Sequence, residues 1–150
     1  MNESYPRPPV HTHLVIENER ELTLINHVTY ALYMLSYFTA GLTWLVAIII
    51  NYVKRPEANG TWLHSHFDWQ ITTFWYSIFM GVIATVLLIW GLPVSLIAFA
   101  SDHPAVQWSL FSFGGMLVFL GVLLWIFVAL WHLYRIVRGW LALLSRKAVP

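Results

Sequence analysis

Three long stretches of this chain carry no charged side chain: Leu22–Val53, Trp69–Ser101 and Pro104–Tyr134. Each is longer than the roughly 20 apolar residues that cross a bilayer core. A surface helix of a water-soluble domain needs one polar face, and these runs offer none that is charged. The fold class expected is therefore all-α and integral to a membrane, with three transmembrane helices at about 22–53, 69–101 and 104–134. Around them lie an extracytoplasmic N-terminal tail, residues 1–21, and a short amphipathic cytoplasmic C-terminal helix within 135–150. Charged residues make up only 10% of the chain, against roughly 25% in soluble domains, which points the same way.

The first run is about 32 residues long. As one helix it exceeds the roughly 30 Å core, so it must tilt or project into water at one end. Lys54, Arg55 and Pro56 stop it, and Glu57-Ala58-Asn59-Gly60 reads as a turn. In the second run Gly91 and Pro93 are expected to kink the helix or end its regular part. Met1–His13, with three prolines, is expected to be extended or disordered. Leu14–Leu22 reads as a weak turn of helix, because Glu17, Glu19 and Glu21 crowd one another. No cleavable signal peptide is expected, since these residues lack a short apolar core before a cleavage site.

Basic residues near the span ends set the orientation. Three spans put Lys54, Arg55, Arg135, Arg138, Arg146 and Lys147 on one side, and only Arg7 and Arg20 on the other. Six against two places the C-terminus in the cytoplasm and the N-terminus outside, which for a bacterial inner membrane is the periplasm. Lys54, Arg55, Arg135 and Arg138 are then candidates for contact with lipid headgroups. The tail alternates its basic residues with Trp140, Leu141, Leu143 and Leu144, so Trp140 and Leu144 are expected to face lipid or a partner.

The chain has seven histidines and no cysteine, which excludes disulfides and thiolate metal sites. A net charge of +1 offers no nucleic-acid-binding face. His27 and His132 fall near opposite ends of the expected bundle, so they cannot share a haem within one chain. His27 is expected to bond a neighbour such as Tyr30. His64, His66 and Asp68 alternate, with His132 expected at similar depth. On an extended segment the first three share a face, as a 2-His-1-carboxylate site would need. On a helix only His64 and Asp68 are neighbours. Interfacial anchoring is the favoured reading, and no metal or cofactor is expected.

Thr72, Thr73, Ser77 and Thr85 in the second run, and Thr39, Thr43 and Asn51 in the first, are expected to bond their own backbone or an adjacent helix. Gly114 and Gly121 are seven residues apart, which permits close helix packing, with self-association as one use. No Asp, Glu, Lys or Arg lies within the runs, which argues against a proton relay or voltage sensor. No nucleophile–base pair or phosphate loop is present, so the protein is expected not to be an enzyme.

The segment Ser65-His66-Phe67-Asp68-Trp69-Gln70-Ile71-Thr72-Thr73-Phe74-Trp75 resembles the signature of an uncharacterised family of small bacterial polytopic membrane proteins. That family is loosely likened to the membrane component of the chloroplast inner-envelope (Tic) import channel. Asn51-Tyr52-Val53-Lys54-Arg55 and Tyr134-Arg135-Ile136-Val137-Arg138-Gly139 are similar to its further elements, so the resemblance covers about residues 30–144. Members often carry a basic residue where Thr72 stands here. The resemblance implies the helical membrane fold and no agreed activity.

Physically, the signature reads as an interface collar. Trp69, Phe74 and Trp75 would anchor at the inner headgroup level. Gln70 and Thr73 would satisfy backbone groups at the helix entry, and His66 is its one group titrating near neutral pH. The expected function is association: a scaffold, assembly factor or accessory subunit whose partners are membrane lipids and further copies or a larger membrane complex. The alternatives are a haem- or metal-binding accessory subunit of a respiratory assembly, or an oligomeric channel-like protein.

Overall fold

The computed structural model describes residues 10–150, with side chains from residue 17. The expectation for residues 1–9 lies outside the described residues, while the backbone is already helical from Val10. All regular structure among the described residues is helical. The order is α1 (Val10–Leu35), α2 (Leu42–Lys54), a 3₁₀ turn (Arg55–Ala58), α3 (His64–Ala98) and α4 (Pro104–Leu144).

Among the described residues, α3 and α4, of 35 and 41 residues, are the two helices long and apolar enough to cross a membrane. At about 1.5 Å per residue they measure roughly 52 and 62 Å. The run Leu22–Val53 is not one helix, which corrects the expectation of a first span. It folds back on itself at residues 36–41, giving an α1–α2 hairpin. The 13 residues of α2 reach only about 20 Å, short of a bilayer core.

The turn is built from local chemistry. Ser36 Oγ donates to the Tyr33 carbonyl at 2.6 Å, and Thr43 Oγ1 donates across the hairpin to the Leu32 carbonyl at 2.9 Å. Ala40 and Gly41 both take positive φ, 49° and 85°, a region that glycine enters freely and alanine does not. At the open end, Lys54 Nζ lies 3.7 Å from Glu21 and 2.9 Å from Glu57. Both ends of the apolar run therefore sit together.

The chain divides into two compact units: residues 1–72 with 136–150, and residues 73–135. In the first, Leu22, Leu63, Phe67, Ile136 and Leu143 are buried, alongside a set of polar side chains described below. Ile136, Gly139 and Leu143 recur at helical spacing on one buried face of α4. Residues 135–144, expected to continue as helix beyond the third run, are the unbroken end of α4, to Leu144. Residues 145–149 then strap back onto the start of α3, where the Val149 N–H donates to Ser65 Oγ at 3.1 Å.

The second unit pairs α3 with α4 through small residues. A β-carbon on Gly114 would stand 2.6 Å from the Ser95 nitrogen, and one on Gly91 2.8 Å from the Val118 nitrogen. Gly121 lies equally close against Ala84 and Leu88. Gly114 and Gly121 are therefore spent on packing within the chain. Pro93 does not end α3, which continues to Ala98. Apolar side chains on both helices point outward, among them Phe79, Ile89, Trp90, Leu96, Trp108, Phe119 and Leu130.

Candidate functional site

The densest chemistry lies inside the first unit. Asn26, Thr29, Tyr30 and Tyr33 on α1, Asn51 on α2, and His66 and Gln70 on α3 are all buried. Three amides form a relay whose direction is fixed at one end. Asn26 Nδ2 donates to the Leu22 carbonyl at 3.1 Å, and a carbonyl can only accept. Asn26 therefore presents Oδ1 to Gln70 Nε2, at 3.1 Å. Gln70 Oε1 in turn accepts from Asn51 Nδ2, also at 3.1 Å. The relay ends at Asn51 Oδ1, fully buried and with no hydrogen-bond partner among the described residues. Tyr33 braces it, its hydroxyl donating to the Gln70 carbonyl at 3.0 Å. Gln70, expected to satisfy backbone groups, has its own backbone satisfied by Tyr33.

His66 has a single consistent tautomer. Nε2 lies 2.9 Å from the Lys147 carbonyl, so it carries the proton. Nδ1 then accepts from the Tyr30 hydroxyl at 3.0 Å. Tyr30 also stacks on Trp140, with centroids 6.4 Å apart, and Trp140 Nε1 donates to His27 Nδ1 at 2.9 Å. The partner of His27 is thus Trp140 rather than Tyr30, and Trp140 faces inward rather than toward lipid. Gly139 lies so close to Tyr30 and Trp69 that a β-carbon would overlap the tyrosine hydroxyl.

The collar residues divide. His66, Trp69, Gln70, Thr73 and Phe74 are buried, and only Trp75, at 55% exposure, faces outward. Positions 66, 69, 70, 73 and 74 recur at i, i+3, i+4, i+7 and i+8 on one inward face of α3, and Trp75 falls off it. Arg138 lies over the Trp69 ring, 5.7 Å from its centroid. In the second unit, Arg135 Nε donates to Thr73 Oγ1 at 2.6 Å, and Ser77 Oγ pairs with His132 Nδ1 at 2.9 Å. Thr85 bonds its own helix, at the Gly81 carbonyl.

The alternating triad lies on a helix. His64 Nδ1 is 3.2 Å from Asp68 Oδ2, as neighbours at i and i+4, and Arg55 Nε pairs with Asp68 Oδ1. His66 turns away, and both its ring nitrogens are engaged. His64, His66 and Asp68 therefore do not converge, and no group of three or more ligand-type residues able to hold a metal occurs among the described residues.

Asn26, Tyr30 and Tyr33 have no place in the sequence-level set of site residues. Their signal is present in the sequence: positions 22, 26, 29, 30 and 33 mark one face of a helix, and on it four polar or phenolic groups, Asn26, Thr29, Tyr30 and Tyr33, interrupt an otherwise apolar run.

His66→Gln should lower the unfolding midpoint of the purified protein in mild detergent, at a cost of about 1 kcal/mol, because the amide reproduces the bonds to Tyr30 and Lys147 imperfectly. An unchanged midpoint would contradict this assignment.

Among the described residues, these features define an all-helical fold with two helices able to cross a membrane and a polar-cored helical unit that joins the end of α4 to α1, α2 and the start of α3. Comparison with known protein families, with curated proteins and with solved structures finds no match to this chain.

Proposed function

We propose that this chain is a two-span protein of the bacterial inner membrane that acts by association, as a scaffold, assembly factor or accessory subunit, and not by catalysis. The observation that carries the reading is the use made of its polar groups. The amides of Asn26 and Gln70, both nitrogens of His66, and the hydroxyls of Tyr30 and Tyr33 tie secondary-structure elements to one another. The apolar side chains of α3 and α4 point outward, the inverse of a water-soluble protein and the arrangement that lipid demands.

Replacing the first span by a hairpin changes the topology that the basic residues favour. With α3 and α4 as the only spans, all eight Lys and Arg residues fall on one side, and the connection at residues 99–103 carries none. Eight against none satisfies the positive-inside tendency better than six against two. Both termini are then cytoplasmic, where three spans would put the N-terminus outside.

A photoreactive side chain placed at Leu144 or Val53, both exposed, tests the association. It should give a crosslinked species of one defined mass in native membranes, either a second copy or a larger membrane protein. A chain that stays monomeric at every such position would overturn the proposal.

A further inference from the structure

A cavity of about 510 Å³ opens in the first unit, lined by Arg20, Thr23 and His27 of α1, Trp62 ahead of α3, and Arg146 beyond α4, with Glu19 at its edge. Arg20, Thr23 and His27 recur at i, i+3 and i+7, so α1 turns one face to it. Arg146 arrives by an unusual backbone. It ends α4 with φ near +50°, where its N–H bonds the Leu143 carbonyl and the Lys147 N–H bonds the Ala142 carbonyl, both at 3.0 Å. This is the helix-ending motif in which glycine normally occupies the left-handed position. A strained arginine there is a functional signal.

The cavity is rich in donors. Lys54, Arg55, Arg135 and Arg138 are each engaged by a carboxylate, a hydroxyl or an indole ring. The guanidiniums of Arg20 and Arg146 have no hydrogen bond or ion pair among the described residues, although both line one cavity. His27 accepts from Trp140 at Nδ1, so its neutral ring carries a proton on Nε2, as a third donor. Thr23 spends its hydroxyl hydrogen on the Glu19 carbonyl at 2.7 Å, which leaves its oxygen an acceptor. Two guanidiniums and an imidazole N–H match the several acceptor oxygens of a phosphate. The Glu19 carboxylate matches a donor attached beside that phosphate.

We propose that this cavity binds a phosphate ester whose alcohol portion carries an ammonium or hydroxyl group. The headgroups of phosphatidylethanolamine and phosphatidylglycerol have this chemistry, and so does soluble glycerol phosphate. The site does not depend on the association role.

The test uses the full chain in uncharged maltoside micelles, titrated with dihexanoyl phosphatidylethanolamine, dihexanoyl phosphatidylcholine, glycerol 3-phosphate and inorganic phosphate. Binding is read by native mass spectrometry and by the shift in unfolding midpoint. Phosphatidylcholine keeps the phosphate but lacks the donor, so it should bind several-fold more weakly than phosphatidylethanolamine. Arg146→Gly should fold at least as well as the native chain, because glycine suits the left-handed position, yet bind about tenfold more weakly, as expected for the loss of charge-assisted hydrogen bonds. Arg20→Gln should weaken binding similarly, and Lys147→Gln, a neighbouring charge outside the cavity, should not. Binding of glycerol 3-phosphate without the lipid would support the site and assign it to a soluble ligand. Equal affinity of native, Arg146→Gly and Lys147→Gln chains for every ligand, or binding of none, would overturn the proposal.

Discussion

Gln70→Leu should lower the unfolding midpoint of the protein in mild detergent more than any surface substitution. The side chain is buried and holds α1 through Asn26 and α2 through Asn51. Leucine fills the space but leaves Asn26 Oδ1 and Asn51 Nδ2 buried without their partner. Each orphaned group costs about 1–3 kcal/mol. Asn51 Nδ2 keeps a longer contact to the Tyr33 hydroxyl, at 3.4 Å, so the expected loss is about 3 kcal/mol rather than the maximum. Against a total stability of about 5–15 kcal/mol for a typical domain, that loss is severe. Replacing Asn26, Asn51 and Gln70 together by leucine should recover part of it, because no orphan then remains. A Gln70→Leu protein as stable as the native one would mean that the relay contributes nothing.

Gly114→Val and Gly115→Val should behave oppositely, although they are adjacent. A β-carbon at Gly114 meets the backbone of Ser95 on α3, while one at Gly115 meets nothing within 4 Å. Backbone cannot move aside as a side chain can, so valine at 114 forces the two helices apart. The cost is expected at about 3 kcal/mol, the upper range for overpacking. Valine at 115 removes a flexible residue from a helix and should be neutral or slightly stabilising. The unfolding midpoints of the two variants, read side by side, decide it. If Gly114→Val instead left stability intact and changed only the oligomeric state, the glycine would serve self-association.

Much of this architecture is legible in the residues. The uncharged runs 69–101 and 104–134 mark α3 and α4, although α3 starts earlier, at His64, and α4 continues to Leu144, because length and the absence of charge leave few other structures. The helical pairing of His64 with Asp68 follows from their spacing alone. The hairpin does not follow in the same way. Leu22–Val53 reads as a helix too long for its membrane, which must tilt or project into water, and folding back satisfies the same excess. Gly41 is the only glycine in that run and marks the turn, but an isolated glycine is tolerated inside helices. The orientation of the collar was illegible for a different reason. Trp69 and Trp75 have the same chemistry, and only tertiary packing against Gly139 and Arg138 turns the first inward. Long-range pairs such as His66 with Lys147 leave no local pattern.

The central claim is that the chain crosses the membrane twice, with the hairpin and both chain ends on one side. The absence of cysteine makes it directly measurable. Single cysteines at Asn18, His103 and Ser145, all exposed, can be challenged in intact spheroplasts with a membrane-impermeant maleimide. Two spans predict labelling at position 103 from outside, and labelling at 18 and 145 only after the membrane is opened. Labelling at position 18 from outside, with 145 still protected, would contradict the account and restore a third crossing.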